Sequence, residues 1–239
     1  MRPASALSSG TVRILKGYGM KCREIIDRIK EIGVVPIVRT SSSEMAIQSV
    51  EAIYEGGIPC VEITMTVEGA VKALEAVADR YGDRIILGAG TVLDPETARI
   101  CMLAGAQFFV TPSLNIKTIE IAKRYSKPIF PGGLTPTEIL TAWEAGADGV
   151  KVFPCSAVGG AKYIKAVKAP FPQIELVPTG GVNLDTIGDF IAAGSAAVGV
   201  GGELVDAKSC NEGNYKIFTE RARKFRQAAQ AARGEKQVA

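Results

Sequence analysis

The sequence predicts a parallel α/β fold, a (β/α)8 barrel with an extra N-terminal helix. Three observations point to it. Short apolar segments alternate with helical stretches eight times in roughly 200 residues, the size such a barrel needs. A glycine step that ends a helix and feeds an apolar segment recurs, as Gly56-Gly57-Ile58, Ala104-Gly105-Ala106, Ala145-Gly146-Ala147 and Ala193-Gly194-Ser195. The first apolar segment runs into Arg39-Thr40-Ser41-Ser42-Ser43, without the Gly-rich dinucleotide loop usual in a doubly wound sheet, the alternative architecture.

Taken in order, strands are expected at 34–39, 60–65, 85–89, 108–111, 128–130, 149–153, 175–178 and 196–199, each a short apolar run. Helices are expected at 43–55, 67–81, 95–104, 116–124, 136–145, 161–168, 184–193 and 215–232. Asp94-Pro95 and Thr135-Pro136 read as an N-cap followed by proline at the first helical position. Gly56-Gly57, Gly105, Gly146 and Gly194 read as helix stops. A helix at about 22–32 precedes the first strand and could cover the N-terminal mouth of a barrel. One domain is expected over 21–233, with a flexible extension at 1–20 and a flexible tail at 234–239. The extension has arginine, lysine and serine but no acidic residue, a faint likeness to a transit peptide. A start at Met20 is the plainer reading.

Composition removes several function classes. With 47% hydrophobic and 22% charged residues the chain reads as globular. A net charge of +3, dispersed along the chain, gives no basic stripe for nucleic acid. No apolar run is long enough for a membrane helix. Five scattered cysteines form neither a disulfide framework nor a metal clamp, which points to a cytoplasmic setting. With no histidine, the Ser/His and Cys/His triads and histidine zinc sites are unavailable. Catalysis must use Lys, Glu, Asp, Tyr, Cys or backbone amides.

In a barrel of this kind the chemistry lies at the C-terminal ends of the strands. Those ends carry only three ionisable groups, Arg39, Glu62 and Lys151, among Thr64, Thr66, Gly90-Thr91, Thr111-Pro112, Pro131-Gly132-Gly133, Phe153, Pro178-Thr179-Gly180-Gly181 and Gly199-Val200-Gly201-Gly202. A lysine inside an apolar strand is costly unless it is used or paired. Alternation puts Glu62, Thr64 and Thr66 on one face, and Lys151 and Phe153 on one face. If both faces point inward, Glu62 meets Lys151. A purely structural ion pair is the bland reading, but such pairs contribute little against apolar replacement. A lysine that attacks a carbonyl must be partly neutral. Val150, Val152 and Phe153 favour the neutral amine, whereas a close Glu62 carboxylate favours the ammonium. The glycine loops Gly180-Gly181 and Gly201-Gly202, after the seventh and eighth strands, suit anion binding through backbone N–H groups. Tight turns alone are the alternative.

The strings Val61-Glu62-Ile63-Thr64, Gly88-Ala89-Gly90-Thr91-Val92, Val110-Thr111-Pro112, Pro131-Gly132, Lys151-Val152-Phe153-Pro154, Val177-Pro178-Thr179-Gly180-Gly181-Val182 and Val198-Gly199-Val200-Gly201 occur in this order. As an ordered set over about 22–208 they closely resemble the KDPG/KHG aldolases, which act on 2-keto-3-deoxy-6-phosphogluconate and 4-hydroxy-2-oxoglutarate. The resemblance implies a homotrimer of (β/α)8 barrels and a class I aldolase with no metal or other cofactor. It implies Lys151 as the imine-forming amine and Glu62 as the general acid/base. Thr91 would hold the pyruvate carboxylate, with Thr64 beside it, and Pro112 and Phe153 would wall the pocket. Thr179, Gly180 and Gly181, with Gly201 and Gly202, would line the distal, phosphate-bearing end. Two positions depart from the pattern. Thr66 stands where many members carry arginine, and Arg39 could supply that cation. Gly201-Gly202-Glu203 stands where many carry a phosphate-binding serine, and Glu203 would repel a dianion. A phosphosugar isomerase or epimerase using Glu62 without an imine, and a non-catalytic trimeric scaffold, are the competing readings.

Overall fold

A computed structural model describes residues 20–234. The expected extension and tail therefore lie outside the described residues, except for Met20 and Gly234. In chain order the elements are α1 (Cys22–Ile32), β1 (Val34–Val38), α2 (Ser43–Glu55), β2 (Cys60–Thr64), α3 (Ala70–Tyr81), β3 (Ile86–Gly90), α4 (Pro95–Leu103), β4 (Phe108–Val110), α5 (Ile116–Arg124), β5 (Ile129–Phe130), α6 (Pro136–Glu144), β6 (Val150–Val152), α7 (Ala161–Lys168), β7 (Leu176–Pro178), α8 (Ile187–Ala192), β8 (Val198–Val200), α9 (Ala207–Asn211) and α10 (Lys216–Ala232). Among the described residues no helix is long and apolar enough to cross a membrane.

All strand pairings are parallel. One six-stranded sheet has the order β5-β4-β3-β2-β1-β8, and β6 and β7 form a second pair. The order is consecutive and has no switch point, unlike a doubly wound sheet. The last strand lies against the first, with Val34 opposite Val198 and Pro36 opposite Val200. Single parallel bridges join the two sheets on either side, Gly132 to Lys151 and Thr179 to Gly199. Every strand residue is buried, as expected of parallel strands covered on both faces.

The start signals read from the sequence are realised. Asp94 accepts a hydrogen bond from the Thr97 N–H at the head of α4. Thr135 and Glu138 form a capping box at α6, with proline at the first helical position. Gly105, Gly146 and Gly194 have φ of 100°, 91° and 96°, the left-handed region that favours glycine. Most strand and helix ends shift by one or two residues, two helix starts shift by three, and one helix is new. The helix expected from 67 begins at Ala70, because Gly69 at φ 72° interrupts the chain. The helix expected from 184 begins at Ile187, because the Asn183 side chain takes the N–H groups of Asp185 and Thr186 into a turn. The short α9 was not expected. Asp206 starts it by accepting from the Ser209 N–H at 2.8 Å.

The outer helices pack by close approach. At Gly56, just after α2, an added Cβ would collide with Ala222 of α10 and lie 2.7 Å from the Thr219 carbonyl oxygen. Gly56→Val should therefore force α2 and α10 apart and destabilise the protein by about 2–3 kcal/mol, measured by denaturant unfolding.

Candidate active site

Strand register decides which side chains share the interior. Ile37 is opposite Glu62, and Glu62 is opposite Gly88. Gly88 is opposite Phe108, and Lys151 is opposite Val177. Directly paired residues of a parallel sheet point to the same side. Val35, Ile37, Glu62, Phe108, Val110, Phe130, Val177, Thr179 and Gly199 line one narrow interior space, with Ile29 of α1 beneath it. Glu62 lines this space, and Lys151 is paired with Val177, which also lines it, and is close enough to act on Glu62 electrostatically. Both are buried, at 1% and 5% exposure. Ile29, on the helix expected before the first strand, is among the residues that line this space.

Burial pushes the Glu62 carboxyl above the usual carboxylate range. The positive charges of Lys151 and Arg39 pull the other way without cancelling it. Among the described residues no donor reaches Glu62 Oε1. Its room is made by Gly90, where an added Cβ would lie 2.6 Å from Oε1. The carboxyl is therefore held in place by shape, with one buried oxygen unpaired among the described residues. The Lys151 Nζ lies 5.2 Å from the centre of the Phe153 ring, within cation–π range. Phe153 is itself 38% exposed. Lys151 is fixed through its backbone, which donates to Pro131 O and accepts from Gly133 N, each at 2.9 Å.

The remaining expected site residues ring this centre. Arg39 follows β1 with its side chain exposed, close enough to act on Glu62 electrostatically. Thr64 is buried at the end of β2 and donates to Val38 O at 3.2 Å. Thr91 follows β3 with φ 56°. A β-branched residue in the left-handed region is strained, and such strain concentrates at functional sites. Pro112 packs on Gly132, where no Cβ fits against the Pro112 backbone. Thr179 is buried beside Gly199. Gly180 and Gly181 follow with φ of 95° and 75°. They pack against the 153–160 loop, with the Cys155 N–H donating to Thr179 O. Burial lifts the Cys155 thiol to about 11 and leaves it unsuited to act as a nucleophile. Gly201 and Gly202 lie at the loop surface with open space around them. Sequence reasoning passed over the clearance that Gly90 gives Glu62 and the 2.8 Å hydrogen bond between the Thr64 and Thr66 hydroxyls. The Glu-x-Thr-x-Thr alternation was the available signal for the second.

The raised proton affinity of Glu62 has a consequence for stability. Below the ordinary carboxylate value of about 4.3 both folded and unfolded chains carry the proton, so the shift contributes nothing. As pH rises past that value the unfolded chain ionises first, and the folded state loses stability until its own carboxyl ionises. Glu62→Gln removes this penalty. It should raise the unfolding midpoint at pH 7, with the gain vanishing near pH 4, in urea titrations at the two pH values.

Comparisons with known proteins give the family. The family model described as "KDPG and KHG aldolase" matches residues 25–220. The chain is 35% identical to the 2-dehydro-3-deoxy-6-phosphogalactonate aldolase of Escherichia coli, over 84% of this chain and 98% of that one. It is 33% identical to the 2-dehydro-3-deoxy-phosphogluconate aldolase of Treponema pallidum, over 82% and 92% of the two chains. Its fold superposes with a TM-score of 0.77 on the KDPG aldolase of Legionella pneumophila, 28% identical over 85% and 97%, a structure with pyruvate captured as a covalent carbinolamine. With the model spanning both Glu62 and Lys151 and the relatives matched over nearly their full length, this chain belongs to the KDPG and KHG aldolase family, a family of aldehyde-lyases.

Proposed function

We propose that this protein is a class I aldolase. It cleaves 2-keto-3-deoxy-6-phosphogluconate to pyruvate and glyceraldehyde 3-phosphate, 4-hydroxy-2-oxoglutarate to pyruvate and glyoxylate, or both. The observation that carries the reading is the placement of Lys151 and Glu62 on one enclosed interior. The covalent pyruvate adduct of the Legionella relative supports it.

The steps follow from the groups present. The Lys151 Nζ adds to the C2 carbonyl, and loss of water leaves a protonated imine. Glu62 takes the proton of the C4 hydroxyl. The C3–C4 bond then breaks, the C4–O electrons form the aldehyde, and the bond pair moves into the imine to give an enamine. Proton return to C3 and hydrolysis release pyruvate and free the lysine. Glu62 suits both proton transfers because its raised affinity brings it closer to the working pH. Apolar walls at Phe153 and Pro112 exclude water around the cationic imine.

Thr91 and Arg39 hold the carboxylate end in this reading, with Thr64 beside them. The distal group lies toward Thr179, Gly180, Gly181, Gly201 and Gly202. The loops 153–160, 179–186 and 201–206 there carry Asp185, Glu203 and Asp206 but no lysine or arginine. A phosphate in that place depends on neutral donors, backbone N–H groups and hydroxyls such as those of Ser156 and Thr179. Asp206 is also engaged, its carboxyl held down to about 2 by the Ser209 N–H and by Arg221.

The fold reading is a closed (β/α)8 barrel with α1 as the extra helix, supported by the β1–β8 pairing and the two single bridges. The assembly reading is a homotrimer in the cytoplasm. Its support is an exposed apolar cluster around α4: Leu93 at 55% exposure, Ile100 at 50%, Leu103 at 72% and Ile116 at 39%. The Asn115 side chain donates to Leu93 O and ties the two ends of this cluster together. Patches of this kind mark association surfaces.

Borohydride should trap pyruvate on the wild-type protein and on Glu62→Gln, but not on Lys151→Ala or Lys151→Arg, as read by intact mass. Aldol cleavage of the phosphorylated and unphosphorylated acids, coupled to pyruvate detection, should fall about 10³-fold or more in the lysine variants. Phosphosugar turnover with no trapped adduct would point instead to an isomerase. Leu103→Glu should dissociate the trimer to monomers in sedimentation equilibrium.

A further inference from the structure

We propose that Asp148 is a positioning residue for the reaction. Its carboxylate fixes β6 against β5 and so sets where the Lys151 amine stands relative to Glu62. The inference rests on the aldolase reading and adds to it a residue outside all of the ordered motifs.

The two sides of β6 are held differently. Toward β7 the pairing is continuous, with Val150 opposite Leu176, Lys151 opposite Val177 and Val152 opposite Pro178. The Val150 N–H donates to Glu175 O at 2.7 Å, and the Thr179 N–H donates to Val152 O at 2.9 Å. Toward β5 there is a single bridge, Gly132 to Lys151. β5 has only two residues, and Pro131 directly after it has no N–H to donate. The upper part of this seam is the two backbone bonds of Lys151, to Pro131 O and from Gly133 N. Asp148 makes the lower part. Its N–H donates to Ile129 O at 3.1 Å, and its Oδ2 accepts from the Ile129 N–H at 3.0 Å. A side-chain oxygen thus stands in for a strand carbonyl.

The other oxygen, Oδ1, accepts from the Lys123 Nζ of α5 at 2.6 Å and lies 3.8 Å from the Cys22 Sγ of α1. The Asp148 side chain is 10% exposed. It cannot turn away without leaving the Ile129 N–H and the Lys123 ammonium without this acceptor. Only Gly149 and Val150 separate Asp148 from Lys151, and both are buried. At Gly149 an added Cβ would lie 3.0 Å from Glu175 O and from the Phe130 ring, so β6 has no slack between its neighbours. Phe130 also lines the interior space beside Glu62. A shift at Asp148 is therefore passed on to Lys151, and a misplacement of about 1 Å can cost about 10²-fold in rate. An ion pair with Lys123 that only stabilises the fold is the competing account. On that account the charge of Asp148 matters, whereas positioning requires the oxygen placed on Ile129.

The test follows exchange of the pyruvate methyl protons in D2O by NMR, in wild type, Asp148→Ala, Asp148→Asn and Asp148→Glu. This exchange needs the imine on Lys151 and a base at C3, and no aldehyde. The alanine variant should exchange about tenfold or more slowly at saturating pyruvate, with half-saturation within about twofold of wild type. The asparagine variant loses the charge but keeps an oxygen for Ile129, and should stay within about threefold of wild type. The glutamate variant keeps the charge but displaces the oxygen by one methylene, and should be about as slow as alanine. Exchange by Asp148→Ala within twofold of wild type would overturn the proposal. So would a glutamate variant as fast as the asparagine variant. If the alanine variant does not fold, the order of asparagine and glutamate decides alone. Borohydride trapping of pyruvate on wild type is run alongside. Its absence would remove the aldolase reading and this proposal with it, whereas a trapped adduct with the wrong order of variants would remove the proposal alone.

Discussion

The contact between the last strand and the first governs the rest of this structure. With β8 against β1, and β1 through β5 paired in consecutive order, six strands form one continuous parallel sheet with every residue buried. An acidic or basic side chain on such a strand is cut off from water. Among the described residues, Glu62 and Lys151 are the acidic and basic side chains buried on the strands. Their unusual character follows from where the strands put them, since neither residue would be distinctive on an exposed surface.

The two groups are stabilised by different means. Lys151 is located by its backbone, through hydrogen bonds to Pro131 and Gly133, and by the face of Phe153. Among the described residues Glu62 has no donor on Oε1, and it is located by packing, in room that Gly90 leaves open. An unpartnered buried carboxyl costs stability. Three features around the mouth, the left-handed Thr91, the Thr64–Thr66 hydroxyl pair and the exposed Arg39, cluster at the ends of β1, β2 and β3. The glycine loops follow β7 and β8, and β8 pairs with β1.

Much of this was legible in the residues. The alternation of apolar segments and helices, the glycine steps and the capped helix starts identified the parallel α/β class. The period-2 pattern in Val61-Glu62-Ile63-Thr64 and Val150-Lys151-Val152 showed that each ionisable group shares a face with its strand-mates, because side-chain direction along a strand is a local property. The ordered motifs identified the family. Local signals were less reliable at the ends of elements. Gly69 delayed α3, the Asn183 turn delayed α8, and the five-residue α9 was too short to show a period.

Other features had no local signature. That the two faces are inward, and the same inward, depended on register across several strands, a long-range property. The left-handed φ of Thr91 runs against its side chain's own preference and is imposed by its surroundings. The clearance that Gly90 gives Glu62, and the raised proton affinity of that carboxyl, arise from atoms far apart in the chain and brought together by packing. The residues by themselves therefore determined the class and the family. Only the tertiary structure decided the proton affinity of Glu62 and the orientation of its carboxyl, because both depend on how much water and which neighbours the packed strands leave around it.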